Sequence, residues 1–154
     1  MAPETDRRQD LELALEAARD AGRLVMETFR TDAEVRHKSP DQPVTDADLR
    51  ADALLARRLL ADRPGYGWLS EETVDRPDRL RRRRVWVVDP IDGTRSFIAG
   101  YAEFGISIAL VEDGEPVIGV IHNPARDEMF WATRAGGAFL GSGAAPAARL
   151  RVEE

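Results

Sequence analysis

The hydrophobic period of this chain changes once, and that change limits the folds open to it. Over residues 6–30, Leu11, Leu15, Ala18, Gly22, Val25 and Phe29 recur at spacings of four and three, the stripe of an amphipathic helix. Residues 45–61 repeat the pattern, with Leu49, Ala53, Ala56 and Leu60 as the expected inner face. From residue 85 onward the signals are those of strands. Val85-Trp86-Val87-Val88 is an apolar, mostly β-branched run. Residues 105–112 and 116–122 flank Asp113-Gly114, a hairpin turn. Residues 128–133 and 138–140 follow as further strands. Two helices and then a run of hairpins predict an α+β chain, with two helices packed on an antiparallel sheet.

The segments between these elements carry turn chemistry. Pro40 and Pro43 break the chain after a possible strand at 35–38, and Pro64-Gly65 stops the second helix. A short strand is expected at 66–69, leading into Ser70-Glu71-Glu72. Residues 75–84 read as a surface connection whose four arginines, 81–84, are either simply solvated or steer an anion. Residues 141–148 are small and read as a linker, and 149–154 as the start of a further element.

Composition removes several function classes. The 154 residues, 43% hydrophobic and 32% charged, suit a soluble globular domain. A net charge of −6 argues against a nucleic-acid polymer as partner, because neutralising a phosphate backbone takes excess Lys and Arg. No cysteine is present, so thiolate metal sites and a cysteine nucleophile are excluded. The apolar stretch at 104–111 is too short to span a bilayer and residues 1–10 are polar, so no membrane association and a cytoplasmic location are expected. Of 22 cationic residues only Lys38 is a lysine, leaving 21 arginines.

Oxygen ligands concentrate in Asp89-Pro90-Ile91-Asp92-Gly93-Thr94, directly after the apolar strand. A buried strand holds its last residue rigidly, Pro90 restricts the backbone, and Gly93 admits close approach of a ligand. Carboxylates and a carbonyl on such a turn are hard ligands suited to Mg²⁺; the other reading is a structural turn. Amides at Gly93 and Thr94, if they open a helical turn, suit a phosphate oxygen. Ser70-Glu71-Glu72 taken alone reads as a surface loop. Thr45 and Asp48 have capping-box spacing, which is compatible with Asp48 also accepting a proton from water. Lys38 alone reads as a surface residue. His37 and His122 form no nucleophile–base pattern, and a lone strand histidine is commonly a hydrogen-bonded structural residue.

In that order, these motifs resemble the inositol monophosphatase superfamily. Asp89 to Thr94 is similar to its Asp-Pro-Ile-Asp-Gly-Thr signature, Leu69-Ser70-Glu71-Glu72 to its acidic motif, and Pro43 to Asp48 to its threonine–aspartate motif. The resemblance implies the N-terminal half of an αβαβα sugar-phosphatase fold, with residues 1–143 as a metal- and phosphate-binding domain and 144–154 as a connection to an absent C-terminal α/β half. It implies a Mg²⁺-dependent phosphomonoesterase acting on a small phosphorylated metabolite through metal-activated water. Glu71, Asp89 and the Ile91 carbonyl are then expected to hold one Mg²⁺, and Asp89 and Asp92 a second. Asp48 and Thr94 would orient and deprotonate the water, with Gly93 and Thr94 at the phosphate and Lys38 and Glu72 beside the first metal. Phe97-Ile98, Glu103-Phe104 and the Leu-Ser-Glu-Glu form resemble the 3′(2′),5′-bisphosphate nucleotidase branch; inositol-phosphate phosphatases and histidinol-phosphate phosphatases share most of the same residues. The family's Trp-Asp motif has no match here, since none of Trp68, Trp86 and Trp131 precedes an aspartate. An inactive metal- or phosphate-binding module is therefore the competing expectation. A sheet cut at this point is also expected to self-associate, as a homodimer or otherwise.

Overall fold

The structure is a computed structural model and describes residues 4–31, 35–39, 42–143 and 145–153, the side chains of 4, 5, 35–39, 42 and 43 excepted. Among the described residues three α-helices, α1 (Glu4–Met26), α2 (Asp46–Asp62) and α3 (Thr94–Ala99), accompany nine strands. β1 (Val35–Ser39) and β2 (Gln42–Thr45) form a separate hairpin. The turn-forming Pro40 of the sequence reading lies outside the described residues. The other seven strands make one sheet in chain order: β3 (Gly67–Ser70), β4 (Arg84–Asp92), β5 (Gly105–Glu112), β6 (Glu115–Asn123), β7 (Glu128–Thr133), β8 (Gly137–Ser142) and β9 (Ala145–Leu150). This is the expected α+β class, with helices on a sheet.

One strand pair departs from expectation. β3 and β4 run parallel, Ser70 opposite Val88, while every later pair is antiparallel. A parallel pair needs a crossover, here residues 71–83 with a single 3₁₀ turn at Pro77–Arg81. The linker expected at 141–148 is also corrected. It holds the end of β8 and most of β9, because backbone pairing of Ala148 with Leu140 overrides the weak strand preference of alanine.

The core lies between α1, α2 and one face of the sheet. Trp86, Val88, Ile106, Ile108, Leu110, Ile118 and Val120 face the helices and are buried. The face of α2 differs from the sequence reading, whereas the stripe expected on α1 holds, with Ala18, Gly22 and Val25 buried and Leu11, Leu15 and Phe29 packed against the core. α2 buries Ala47, Ala51, Leu55 and Leu59, while Leu49 is exposed; α1 buries Leu13, Ala14, Ala17, Ala18, Ala21 and Val25. Both helices thus bury alanines together with leucines, Leu13 on α1 and Leu55 and Leu59 on α2. Leu55 is fully buried, and Leu55→Ala costs about 2–5 kcal/mol on the usual transfer-plus-cavity scale. The opposite sheet face carries an open apolar groove that includes Ala109, Gly119, Ile121 and Phe130. No helix among the described residues is long and apolar enough to cross a membrane.

Candidate active site

The parallel pairing of β3 with β4 brings two acidic segments to one edge. The Glu71 amide donates to the Val88 carbonyl at 3.1 Å, which sets Glu71 beside Asp89 at the strand ends. β4 then bulges: Asp89 opposes Ser107 and Asp92 opposes Gly105, so three steps on β4 match two on β5. Pro90 and Ile91 are buried in the bulge while Asp92 is exposed. Gly93 has φ of 92°, and a Cβ there would stand 2.8 Å from the Glu103 carbonyl oxygen. Both the left-handed backbone and that close approach require glycine. Gly93 caps α3, whose first-turn amides have no intrahelical acceptor.

Asp48 reaches the same place from α2. The capping box is complete: the Thr45 amide and hydroxyl donate to Asp48 Oδ2 at 2.7 and 2.5 Å, and the Asp48 amide donates to Thr45 Oγ1 at 3.3 Å. Asp48 is fully buried, and its other oxygen, Oδ1, lies 3.0 Å from Thr94 Oγ1. Thr94 Oγ1 is also 3.0 Å from the Ile91 carbonyl, so one hydroxyl proton is shared between two acceptors. Capping and contact with Thr94 thus coexist at Asp48.

Asp89 is the electrostatic centre. Its Oδ1 is buried without a hydrogen-bond partner. Burial first, and then the like charges of Asp92, Glu71, Glu72 and Asp48, push its carboxyl up to about 7. No three carboxylates or imidazoles among the described residues already converge as a metal cage. The donors present are nonetheless all oxygen, and one is a buried carboxylate oxygen with no donor to meet it. That set fits a hard divalent cation. Lys38 lies on β1 and its side chain is outside the described residues.

The sequence reading missed Asp52. It sits one turn after Asp48 and is buried. Ser70 Oγ and, at 2.5 Å, Thr73 Oγ1 donate to its carboxylate, while Ser70 Oγ accepts the Glu72 amide at 3.3 Å. Asp52 thereby ties the loop bearing Glu71 and Glu72 to α2. The four-residue spacing from Asp48 was the available signal.

These features define an α+β protein with carboxylates gathered at the ends of two parallel strands. The chain belongs to the inositol monophosphatase family, whose family model matches residues 6–154. It is 44% identical over 132 residues to a histidinol-phosphatase of Chlorobaculum parvum, covering 85% of this chain and 50% of that protein. An inositol-1-monophosphatase of Mesorhizobium japonicum is 40% identical, with 92% and 52% covered. Among solved structures, an IMPase of Thermotoga maritima superposes with a TM-score of 0.82 at 33% identity, covering 94% of this chain and 54% of that one. CysQ of Bacteroides thetaiotaomicron, a bacterial member of the same family, gives 0.73 at 33% identity, with 88% and 49% covered. The chain spans about half the length of the relatives it matches.

Proposed function

We propose that this chain carries the cation- and phosphate-binding residues of a Mg²⁺-dependent phosphomonoesterase. The observation that carries the reading is the buried, unpartnered Asp89 oxygen ringed by Asp92, Glu71, Glu72 and Asp48. Such a cluster repels a phosphate unless a cation inverts the local charge. In this reading Glu71, Asp89 and the Ile91 carbonyl would hold one ion, and Asp89 with Asp92 a second. Bound there, Mg²⁺ would supply charge neutralisation and an activated water. Thr94 donates its hydroxyl proton to Asp48, which leaves Thr94 lone pairs to accept from a water, and Asp48 then takes the released proton. The amides of Gly93 and Thr94 would meet phosphate oxygens; Glu72 and Lys38 would stand beside the first ion. Asp52 positions the Glu71 loop.

The names of the relatives point to small phosphomonoesters, with histidinol phosphate and inositol-1-phosphate as first candidates. The sequence resemblance adds 3′-phosphoadenosine-5′-phosphate. Phosphate release from all three, with Mg²⁺ and with chelator, tests the proposal. Mg²⁺-dependent release abolished by Asp89→Asn supports it, and the preferred compound names the branch. The lack of three converged carboxylates favours a second reading, a cation-binding module without turnover. Calorimetry separates the two: Mg²⁺ binding without phosphate release selects the module, and neither binding nor release overturns both.

A further inference from the structure

A cavity of about 600 Å³ lies between α1 and the β6–β9 strands, apart from the acidic cluster. Pockets of roughly 300–1,000 Å³ take small organic ligands. His122 on β6 forms part of its wall and is only 8% exposed. The imidazole lies directly against α1: a Cβ on Gly22 would stand 2.6 Å from His122 Cδ2 and 2.7 Å from Nε2. Only glycine leaves room for the ring there.

The state of that ring follows from its one contact. Nδ1 lies 3.1 Å from the Glu128 carbonyl oxygen, which can only accept, so Nδ1 carries the proton and Nε2 keeps a lone pair. Nε2 has no hydrogen-bond partner among the described residues. Nε2 is thus available as an acceptor for a hydroxyl donor on this side of the ring. Burial above all holds the imidazole below its ordinary pKa, against the smaller opposing pulls of the Glu128 carbonyl and Asp127, and so favours the neutral ring.

The opposite wall is cationic. Arg19 and Arg23 stand one turn apart on the same face of α1 and line the cavity. Arg23 pairs with Asp20, while Arg19 enters no ion pair among the described residues. Met26, Met129 and Trp131 supply apolar surface between the arginines and the strands.

We propose that this cavity is a second ligand site, for a small organic oxyanion that also carries a hydroxyl group. Arg19 and Arg23 meet the anion, and His122 Nε2 accepts the hydroxyl proton, with Asp127 at the same wall as a further acceptor. A carboxylate and a phosphate ester share this chemistry. The site is independent of the proposed phosphatase chemistry.

The test uses the whole chain labelled with nitrogen-15 at histidine, in chelator so that no cation holds phosphate at the β4 end. A His37→Gln variant assigns the remaining imidazole signals to His122. Glycerate and glycerol 3-phosphate are titrated separately, with glycerol as the uncharged control. One or both anions should move the Nε2 resonance saturably while glycerol does not, and the tighter anion names the ligand's charged group. Replacing Arg19 and Arg23 together by alanine should weaken that binding by about tenfold or more, since charge-assisted contacts are the strong ones. An Nε2 signal unmoved by either anion overturns the site. So does an equal response to glycerol, or an Arg19→Ala/Arg23→Ala variant that titrates like the parent.

Discussion

Carboxylates gather around both ends of strand β4, and the two ends treat them in opposite ways. At the Arg84 end every acid is matched. Asp10, 1% exposed, accepts from Arg63 at 2.5 Å and from the Tyr66 hydroxyl at 2.7 Å. Arg84 donates to Asp6 at 2.5 Å, to Glu112 at 2.9 Å and to Tyr66 at 2.7 Å. This network ties α1, the end of α2, the residue entering β3 and strands β4 and β5 together. At the Asp89 end the acids crowd one another, and Asp89 Oδ1 has no donor. One end of the strand therefore meets its carboxylates with donors that serve the fold, while at the other end the buried Asp89 oxygen is left without one.

That contrast can be broken by mutation. Asp10→Ala leaves Arg63 facing a buried void and should cost about 3–5 kcal/mol, the usual result of removing one partner of a buried pair. Urea unfolding measures it, and a cost below about 1 kcal/mol would make the network no stronger than a surface ion pair. Asp52→Ala frees Ser70 and Thr73, and the lost buried hydrogen bonds should cost about 1–3 kcal/mol. It should also weaken divalent-cation binding by calorimetry, and unchanged affinity would remove Asp52 from the site. Asp89→Asn has the opposite sign. In chelator it should raise stability by roughly 1 kcal/mol, because it deletes a buried charge among like charges. A loss of stability instead would show Asp89 to be compensated as it stands.

The smallest effect is a titration. Burial, and then its hydrogen bond to Asp10, raise Tyr66 from 10.0 to about 12. A group whose folded pKa is raised contributes stability that is complete below its unfolded pKa. The Tyr66 contribution is therefore present up to pH 10 and fades as pH rises toward about 12. Tyrosinate absorbance should show one tyrosine titrating late, and Asp10→Asn should bring that titration part of the way back, the share due to burial remaining.

Much of this was legible in the sequence, for local reasons. The turn from Asp89 to Thr94 announces itself through an apolar strand, a proline and a glycine that act on their immediate neighbours. The capping box at Thr45 and Asp48 is equally local, and it formed as read. The parallel direction of β3 against β4 was not legible, because alternation of side chains is the same in either direction and the crossover carries no direction signal. The buried face of α2 was misread for a different reason. The expected stripe of Leu49, Ala53, Ala56 and Leu60 is rotated from the observed one, because several apolar residues on this helix allow more than one register and Ala47, Ala51, Leu55 and Leu59 are the ones buried. β9 was hidden by its alanines, which acquire strand geometry only from a partner. Asp52 was hidden because a polar residue four along from a cap reads as an ordinary helix surface.

The Asp48 carboxylate also decides how variants of this protein can be interpreted. One oxygen caps the start of α2 and the other meets Thr94, so folding and the proposed chemistry draw on the same side chain. In that reading no substitution at Asp48 alters reactivity while leaving the helix start untouched. Selection on either trait is inherited by the other, and this position is free to drift only if both are given up together.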